Sequence, residues 1–238
     1  MLDRINIEKI LFLDIETVPA YSAYTEVPEE IKCFWDKKAA FIKKAEETPD
    51  ITYQRAGIYA EFGKIICISV GIIKNKGGKS TIRIKSFSGH DEKQVLADFL
   101  DLLNKRLKSP EFLFCAHNGK EFDFPYLSRR ILINGLKLPD PLKTNGKKPW
   151  EIPHLDTLDL WRFGDYKNYS SLELLASVFN IPTPKDDING SDIWSVYWKE
   201  NDLERIVTYC QKDVLTVAQL LNSYLGRPLI EDTAVSLV

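Results

Sequence analysis

Apolar and polar positions divide the first ninety residues into strand-like runs, and the first run leads into acidic residues. The segment 7–15 carries a short apolar stretch and then a carboxylate pair, a pattern typical of a buried strand, and Val18-Pro19 stops it. Gly63–Ile73 and Ser80–Ser88 are two further runs separated by a Gly77-Gly78 turn. The alternation in the second of them predicts a β-hairpin. The pattern therefore predicts three strands that are antiparallel neighbours.

The spacing changes to a helical period after His90. Apolar residues recur every three or four positions from Val95 to Leu107, which predicts a helix closed by Ser109-Pro110. A buried strand is expected over 111–116. A second helix is expected over 124–133, ending at the left-handed cap signal Asn134-Gly135.

The last third of the chain favours helices joined by loops. The capping pattern Ser170-x-x-Glu173 predicts a helix through Val178, and a long helix is expected over 203–224. The segments 136–153 and 180–192 are rich in turn-forming residues and are predicted to be loops. A short apolar segment, 155–160, lies between the loops.

Residues 26–56 are rich in Lys and Glu and also contain apolar positions such as Phe34 and Trp35. They predict one or two amphipathic helices, and both a solvated helical insertion and a functional lid fit the pattern. The order of elements along the chain predicts an α/β fold with a mixed β-sheet flanked by α-helices. A single domain over 1–238 is expected.

Composition narrows the setting of the protein. Hydrophobic residues make up 44% and charged residues 28% of 238 residues, as in ordinary globular proteins. Apolar runs fall short of the ~20 residues that cross a bilayer, and the N-terminal pattern lacks a signal peptide, so no membrane partner is expected. Three of the four cysteines lie in apolar segments, which favours buried free thiols, a reducing compartment and a cytoplasmic location.

The net charge of −2 excludes a strongly cationic nucleic-acid coat protein. It is compatible with an enzyme that grips phosphates through bound cations, because the metal ions then supply the positive charge.

Three separated acidic motifs carry the candidate chemistry. Asp14 and Glu16 are two apart on a predicted strand, so their side chains leave the same face, where a hard divalent cation would offset their repulsion. Asp123 follows a predicted strand and begins a helix. Tyr209 and Asp213 are four apart and share one face of the last helix. Each motif alone has an ordinary explanation, respectively a solvent-facing strand end, a helix N-cap, and a core tyrosine beside a surface aspartate.

Jointly, the motifs resemble the DEDDy branch of the DnaQ-like (RNase H-fold) exonuclease superfamily. Asp14-Ile15-Glu16-Thr17 matches the first family motif, Asp-x-Glu-Thr. Asn118-Gly119-Lys120-Glu121-Phe122-Asp123 matches the second, Asn-x-x-x-Phe-Asp. Tyr209-Cys210-Gln211-Lys212-Asp213 matches the third, Tyr-x-x-x-Asp. The resemblance extends over almost the whole chain and is nearest to stand-alone exonucleases similar to the proofreading domain of family B DNA polymerases.

The resemblance implies an RNase H-like fold and a two-metal 3′–5′ exonuclease that releases 5′-mononucleotides from single-stranded DNA. It implies that Asp14, Glu16, Asp123 and Asp213 hold two divalent cations, Mg²⁺ or Mn²⁺. Tyr209 would position the attacking water. A tyrosine here, in place of a histidine, distinguishes the DEDDy branch from the DEDDh branch.

Secondary candidates are substrate contacts. In the family, Thr17 would contact the 3′-terminal nucleotide. Asn118 would hydrogen-bond a backbone phosphate or orient a ligand. Phe122 would stack on a terminal base, although a core position is an equal interpretation. Lys185 could reach a phosphate but is better explained as a solvated loop lysine. Asp156 lies near a strand end and could support the site residues from behind, but it is better explained as an ordinary turn aspartate.

The histidines His90, His117 and His154 share no metal-ligand spacing, and none is assigned to catalysis. Two alternatives to a DNA exonuclease stay open: an exoribonuclease of the same fold, and a catalytically silent nucleic-acid-binding module. Proofreading for a separate polymerase, repair and scavenging are all compatible with the sequence, which indicates neither a protein partner nor an oligomeric state.

Overall fold

The apolar run before the first acidic pair forms a central strand of a mixed six-stranded sheet. The computed structural model describes residues 5–77, 79–106, 112–182 and 188–238. Its strand order is β5-β4-β1-β2-β3-β6. The strands are β1 (Ile10–Pro19), β2 (Gly63–Lys76), β3 (Lys79–Ser88), β4 (Leu113–Ala116), β5 (Leu155–Asp156) and β6 (Val235–Leu237).

The first three strands are antiparallel neighbours, as the alternation pattern predicted: β1 pairs with β2, and β2 with β3. On the other side β4 runs parallel to β1, and β5 parallel to β4. The carboxyl ends of β1, β4 and β5 therefore meet at one edge, where ligands bind in open α/β sheets. β6, which the sequence pattern did not indicate, runs parallel to β3 at the opposite side of the sheet.

Helices cover both faces of this sheet, so the predicted α/β class is confirmed. The described α-helices are α1 (Glu29–Ile42), α2 (Pro49–Tyr53), α3 (Glu92–Arg106), α4 (Asp123–Ile133), α5 (Thr157–Arg162), α6 (Leu172–Val178), α7 (Ile193–Ser195) and α8 (Leu203–Tyr224). A π-helical turn, Val196–Glu200, follows α7.

The two faces of β1 pack against different helices. Leu11 and Leu13 belong to a core cluster with residues of α3 and α4. Ile10 and Phe12 belong to a cluster with residues of α8. Because successive strand side chains alternate between faces, the next even-numbered residue, Asp14, points to the α8 side.

A glycine in β2 lets α8 lie close to the sheet. A Cβ built on Gly71 would lie only 2.8 Å from the Cγ1 atom of Val214 in α8. A larger residue at this position would push α8 outward, and with it the third acidic motif.

The far end of α4 is anchored by a buried ion pair. The Arg130 Nε donates to Glu92 Oε1 at 2.8 Å, and its Nη1 donates to the Ala60 carbonyl at 2.8 Å. The same Glu92 oxygen accepts the Ile65 backbone N–H at 2.7 Å. The network joins α3, α4 and β2, and so restrains the helix that begins at Asp123.

Residues 26–56 contain α1 and α2, which share a small core of their own. Trp35 is fully buried, donates its indole N–H to the Pro49 carbonyl at 2.8 Å, and meets the Tyr53 ring edge-on at 5.4 Å. Outer residues such as Phe34 and Phe41 are exposed. Both predicted interpretations, a solvated insertion and a lid, fit this arrangement.

The predicted cap of α6 is wrong by one residue. The N-cap is Ser171, whose hydroxyl accepts the Leu174 backbone N–H at 3.2 Å. The carbonyl of Ser170 instead accepts a hydrogen bond from the His117 Nε2 at 2.9 Å, a long-range contact that the local capping pattern does not encode.

Some predicted features fall inside the described residues, and others fall outside them. The loop 136–153 contains two short 3₁₀ turns, Asp140–Leu142 and Pro149–Glu151. Gly78, Ser109-Pro110 and Lys185 lie outside the described residues.

The described helices include none that is long and apolar enough to span a membrane. Three of the four free cysteines are buried, namely Cys67, Cys115 and Cys210.

Candidate active site

A cavity of about 290 Å³ opens beyond the end of β4 and beside the middle of β1, and it collects the acidic motifs. All five residues predicted to be catalytic line it, together with Asn118 and Phe122. The lining residues are Asp14, Ile15, Glu16, His117, Asn118, Phe122, Asp123, Tyr169, Gly190, Tyr209 and Asp213.

Asp14 and Glu16 lie on the same side of β1, as their spacing predicted. Ligand atoms of both residues and of the Cys210 thiol lie within 4.8 Å of one another. The Cys210 thiol donates to the Asp14 backbone carbonyl at 3.5 Å, which ties β1 to α8. The Asp14 Oδ2 atom is buried and has no hydrogen-bond partner in the described parts of the chain.

A β-bulge separates Thr17 from this pair. Glu16 is opposite Cys67, but Thr17 is opposite Ile65, so the register shifts between them. Thr17 does not line the cavity, and its side chain hydrogen-bonds Tyr126 instead. Its contact with a terminal nucleotide remains a prediction.

A compact turn carries the second motif from β4 into α4. Asn118 has a φ of +60°, and its carbonyl accepts the backbone N–H groups of Glu121 and Phe122 at 3.1 and 3.0 Å. Gly119 serves close packing rather than flexibility, because an added Cβ would lie 2.5 Å from the Ala116 Cβ. The turn therefore delivers Asp123 to the cavity in a defined position.

Asp156 holds this turn, so the less favoured of its two predicted interpretations, support of the site residues, fits the structure, and the ordinary turn position is wrong. Its side chain is 3% exposed. Its Oδ1 accepts the backbone N–H groups of Asn118 and Leu158, both at 2.9 Å. Its Oδ2 accepts the Lys120 N–H at 3.0 Å. One carboxylate thus caps α5 and fixes the second motif, which no local pattern could reveal because the partners are almost 40 residues away.

Two ion pairs add to this connection between the turn and α5. The Lys120 ammonium lies 2.8 Å from Asp159, and the Arg162 guanidinium lies 3.1 Å from Glu121. The segments around the second motif and around α5 are therefore joined by side chains as well as by strand pairing.

The third motif closes the cavity from the α8 side. Tyr209 and Asp213 are half-buried, and the tyrosine hydroxyl hydrogen-bonds the aspartate carboxyl. Burial raises the pKa of Tyr209, and the carboxyl groups of Asp213, Glu16 and Asp14 raise it further. The hydroxyl therefore stays protonated and remains a hydrogen-bond donor.

The carboxyl groups of the cavity strongly disfavour one another's charge. Burial raises the pKa of Asp14, and its neighbours Asp213 and Asp123 add to the effect. Burial also raises the pKa of Glu16, and the carboxyl groups of Asp14 and Asp213 raise it further. Burial raises the pKa of Asp123 to about 8, although nearby backbone N–H groups oppose the shift.

This donor set fits divalent cations. Hard ions such as Mg²⁺ and Mn²⁺ prefer carboxylate oxygen, and bound cations relieve repulsion between buried like charges. The unpartnered Asp14 Oδ2 is a free donor atom of the required kind. The residues present are therefore suited to the metal ions that the family resemblance implies.

Sequence comparison assigns the family. A family profile described as "Predicted 3'-5' exonuclease related to the exonuclease domain of PolB" matches residues 58–225. The chain belongs to this family. The predicted resemblance to the exonuclease domain of family B DNA polymerases is confirmed, whereas the DEDDy branch and the RNase H-like fold remain predictions. The matched stretch includes the second and third motifs, whereas Asp14 and Glu16 precede it.

Individual relatives are DNA polymerases. A DNA polymerase of Pyrococcus glycovorans is 24% identical over an aligned length of 161, and the match covers 58% of this chain and 20% of that protein. The family B DNA polymerase of the archaeon Pyrobaculum calidifontis matches at 17% identity with a TM-score of 0.48, over 91% of this chain and 24% of the polymerase. The chain thus spans about a fifth of the length of the curated polymerase that it matches.

Four cavity residues had no predicted site role, namely Ile15, His117, Tyr169 and Gly190. The His117 Nδ1 lies 2.9 Å from the Thr157 Oγ1, opposite the bond from its Nε2 to Ser170. Tyr169 carries no motif signal and reaches the cavity only through folding.

Replacing Asp156 with asparagine tests its role as the anchor of the second motif. Asp156→Asn would turn an amide N–H₂ toward one of the backbone donors, so we expect a loss of about 2 kcal/mol in the free energy of unfolding, measured by urea titration. The matched control is Asp91→Asn, an exposed cap that accepts the Lys93 and Gln94 N–H groups. Asparagine caps helices as well as aspartate does, so the control should change stability by only a few tenths of a kcal/mol. Equal losses would show that Asp156 is only a helix cap.

The raised pKa of Asp123 predicts a pH-dependent stability of the metal-free protein. Its carboxyl pKa moves from 3.8 to about 8 on folding, so unfolding releases a proton between these values. Stability then falls as pH rises from about 4 to about 8. Asp123→Asn cannot ionise, so in a chelator its stability relative to the unsubstituted protein should grow across this window, by roughly 1 kcal/mol or more.

The control for this pH dependence is Asp140→Asn. A hydrogen bond from Lys143 lowers the pKa of the exposed Asp140 carboxyl, so this variant should run parallel to the unsubstituted protein between pH 5 and 8. A parallel profile for Asp123→Asn as well would contradict the burial of an ionisable group at position 123.

Proposed function

We propose that this protein is a metal-dependent 3′–5′ exonuclease that releases 5′-mononucleotides from the 3′ end of single-stranded DNA by two-metal phosphodiester hydrolysis. The observation that carries the proposal is the cavity that gathers four carboxyl groups and a tyrosine hydroxyl. Family membership supports the reaction class, and the polymerase relatives favour DNA over RNA. The proposed setting is cytoplasmic.

In this proposal Asp14, Glu16, Asp123 and Asp213 hold two divalent cations. When bound, such cations neutralise charge on the scissile phosphate and activate water as a nucleophile. The reaction forms a bond between the water oxygen and phosphorus and breaks the bond to the 3′ oxygen. The products are a 5′-mononucleotide and a strand one residue shorter with a 3′ hydroxyl.

The protein's own contribution is to hold these carboxylates in place before the substrate arrives. β1 presents Asp14 and Glu16, the turn anchored by Asp156 presents Asp123, and α8 presents Asp213. Fixed donors avoid the reorganisation that water would need around the developing charge.

Tyr209 orients the attacking water in this scheme. Its hydroxyl is protonated and already hydrogen-bonded to Asp213. It can therefore donate a hydrogen bond, but it cannot take a proton from the attacking water. It therefore positions the nucleophile and does not serve as the general base. Asn118 and Phe122 line the same cavity and are the proposed contacts to the terminal nucleotide, with Thr17 as a further contact.

Replacing Asp14 tests the reaction directly. With Mg²⁺ or Mn²⁺, a 5′-labelled single strand should shorten stepwise from its 3′ end, and Asp14→Ala should reduce nucleotide release by at least ~10²-fold. Mn²⁺ should also raise the melting temperature of the unsubstituted protein and not that of Asp14→Ala.

Asp140→Ala removes an exposed acid outside the cavity and should keep full activity. Full activity in Asp14→Ala would reject the assignment. Faster cleavage of a matched RNA strand would replace DNA by RNA as substrate, and metal-independent binding without turnover would favour a silent binding module.

Replacing Tyr209 with phenylalanine separates its hydroxyl from its ring. We expect a fall in turnover of roughly 10- to 100-fold, the size of one lost hydrogen bond to a charged group, with the Mn²⁺-induced rise in melting temperature retained. The control is Tyr24→Phe, which removes a hydroxyl that donates to the Asp36 carboxylate at 2.7 Å. Undiminished turnover of Tyr209→Phe across pH would show that the hydroxyl has no part in the rate-limiting step.

A further inference from the structure

The loop between α5 and α6 presents three aromatic side chains to solvent beside the cavity. Within the stretch 163–169, Phe163 is 92% exposed, Tyr166 is 69% exposed and Tyr169 is 64% exposed. Large aromatic side chains normally supply burial energy, so three exposed rings within seven residues leave much apolar surface uncovered. Phe163 also has a φ of +44°, an uncommon conformation for an aromatic residue.

This aromatic loop, residues 163–169, is continuous with the acidic cavity. Tyr169 is one of the residues that line the cavity. Its ring meets the His117 ring edge-on, with centroids 6.4 Å apart. A strand whose terminal phosphate sits among the carboxylates would therefore lie beside Tyr169.

The same loop is held to the second motif at both of its ends. At one end, the Ser170 carbonyl accepts the hydrogen bond from His117 at 2.9 Å. At the other end, Arg162 pairs with Glu121, and its guanidinium carbon lies 5.5 Å from the centre of the Tyr166 ring. These contacts restrain the ends of the loop and the Tyr166 and Tyr169 rings, which lowers the ordering cost of binding a ligand there.

Unpaired bases are the ligand chemistry that such rings favour. The carboxylates of the cavity carry the same sign of charge as phosphate, so they do not attract the phosphates that follow the terminal one. Every base has a flat face that stacks on an aromatic ring, irrespective of its identity. In a duplex both faces of an internal base are covered by its neighbours, so a stacking surface selects single strands.

We propose that the aromatic loop, with Tyr169 nearest the cavity, is a stacking surface for the unpaired bases of a single DNA strand whose 3′ end lies in the cavity. This inference rests on the proposed function and adds the structural feature that selects single-stranded over duplex ends. It assigns Tyr169 a substrate contact outside the three motifs.

The experiment compares binding to bases with binding to phosphates. Fluorescence anisotropy in a chelator, which prevents turnover, measures the affinity of the full chain for a labelled dT12 strand and for an abasic strand of equal length. The unsubstituted protein should prefer dT12. Tyr169→Ala should lose about 5- to 100-fold in affinity for dT12 and little for the abasic strand. Tyr169→Phe, which keeps the ring, should restore the preference.

Phe41→Ala is the matched control, because it removes another highly exposed aromatic ring, at the end of α1. It should bind dT12 as the unsubstituted protein does. All variants should have the melting temperature of the unsubstituted protein to within a few degrees. Equal affinity of Tyr169→Ala and the unsubstituted protein for dT12 would overturn the inference.

The two proposals fail separately. If the protein degrades single strands with Mn²⁺ but Tyr169→Ala binds dT12 normally, the exonuclease assignment stands and the stacking surface is wrong. If the protein binds dT12 through Tyr169 but releases no nucleotides, the surface stands and the exonuclease assignment is wrong. A tighter complex with blunt duplex than with dT12 would also overturn the stacking surface.

Discussion

Mutual repulsion among buried carboxyl groups is the constraint around which this protein is built. Asp14, Glu16 and Asp123 each lose hydration on folding, which raises the pKa of all three; Asp123 raises the pKa of Asp14 further, and both Asp14 and Asp123 raise that of Glu16. Left to relax, such groups would turn outward or draw water in. They remain together because β1 lies between two apolar clusters, and because α8 packs closely over Gly71. The core thus holds an unfavourable arrangement of charge, which the cations of the proposed function would offset.

The acidic motifs differ in how the chain secures them. The pair on β1 needs only strand geometry, since alternation places both side chains on the α8 face. Asp123 depends on a turn whose backbone donors end on Asp156, a residue of a different strand. Asp213 depends on the closeness of α8 to β2. The second motif is therefore the one most sensitive to substitutions elsewhere in the chain, because its position relies on side-chain contacts between segments far apart in sequence.

Much of this arrangement could be predicted from the sequence, because it follows local rules. Strand alternation located the hairpin, helical spacing located α3, start and stop signals located α4 and α8, and the three motifs identified five of the residues that line the cavity. The features that the sequence did not reveal have different causes. β6 and the anchoring role of Asp156 depend on partners distant in the chain, whereas the Ser171 cap is local and lies one residue after the predicted position. Thr17 follows a bulge and lies outside the cavity lining, and a bulge leaves no clear mark on a pattern of period two.

The contrast between the aromatic loop and the helical segment 26–56 shows where substrate contacts should be sought. Both expose aromatic rings, but α1 directs its central aromatic side chain, Trp35, into a core of its own. The aromatic loop has no comparable core, and what holds it is its attachment to the second motif through His117 and Arg162. A substitution that disturbs the loop would therefore also disturb the turn that carries Asp123. In the proposed function, recognition of bases and placement of Asp123 are then coupled through one small set of side chains, so a strand seated on the loop would help to hold the carboxylate proposed to act on its end.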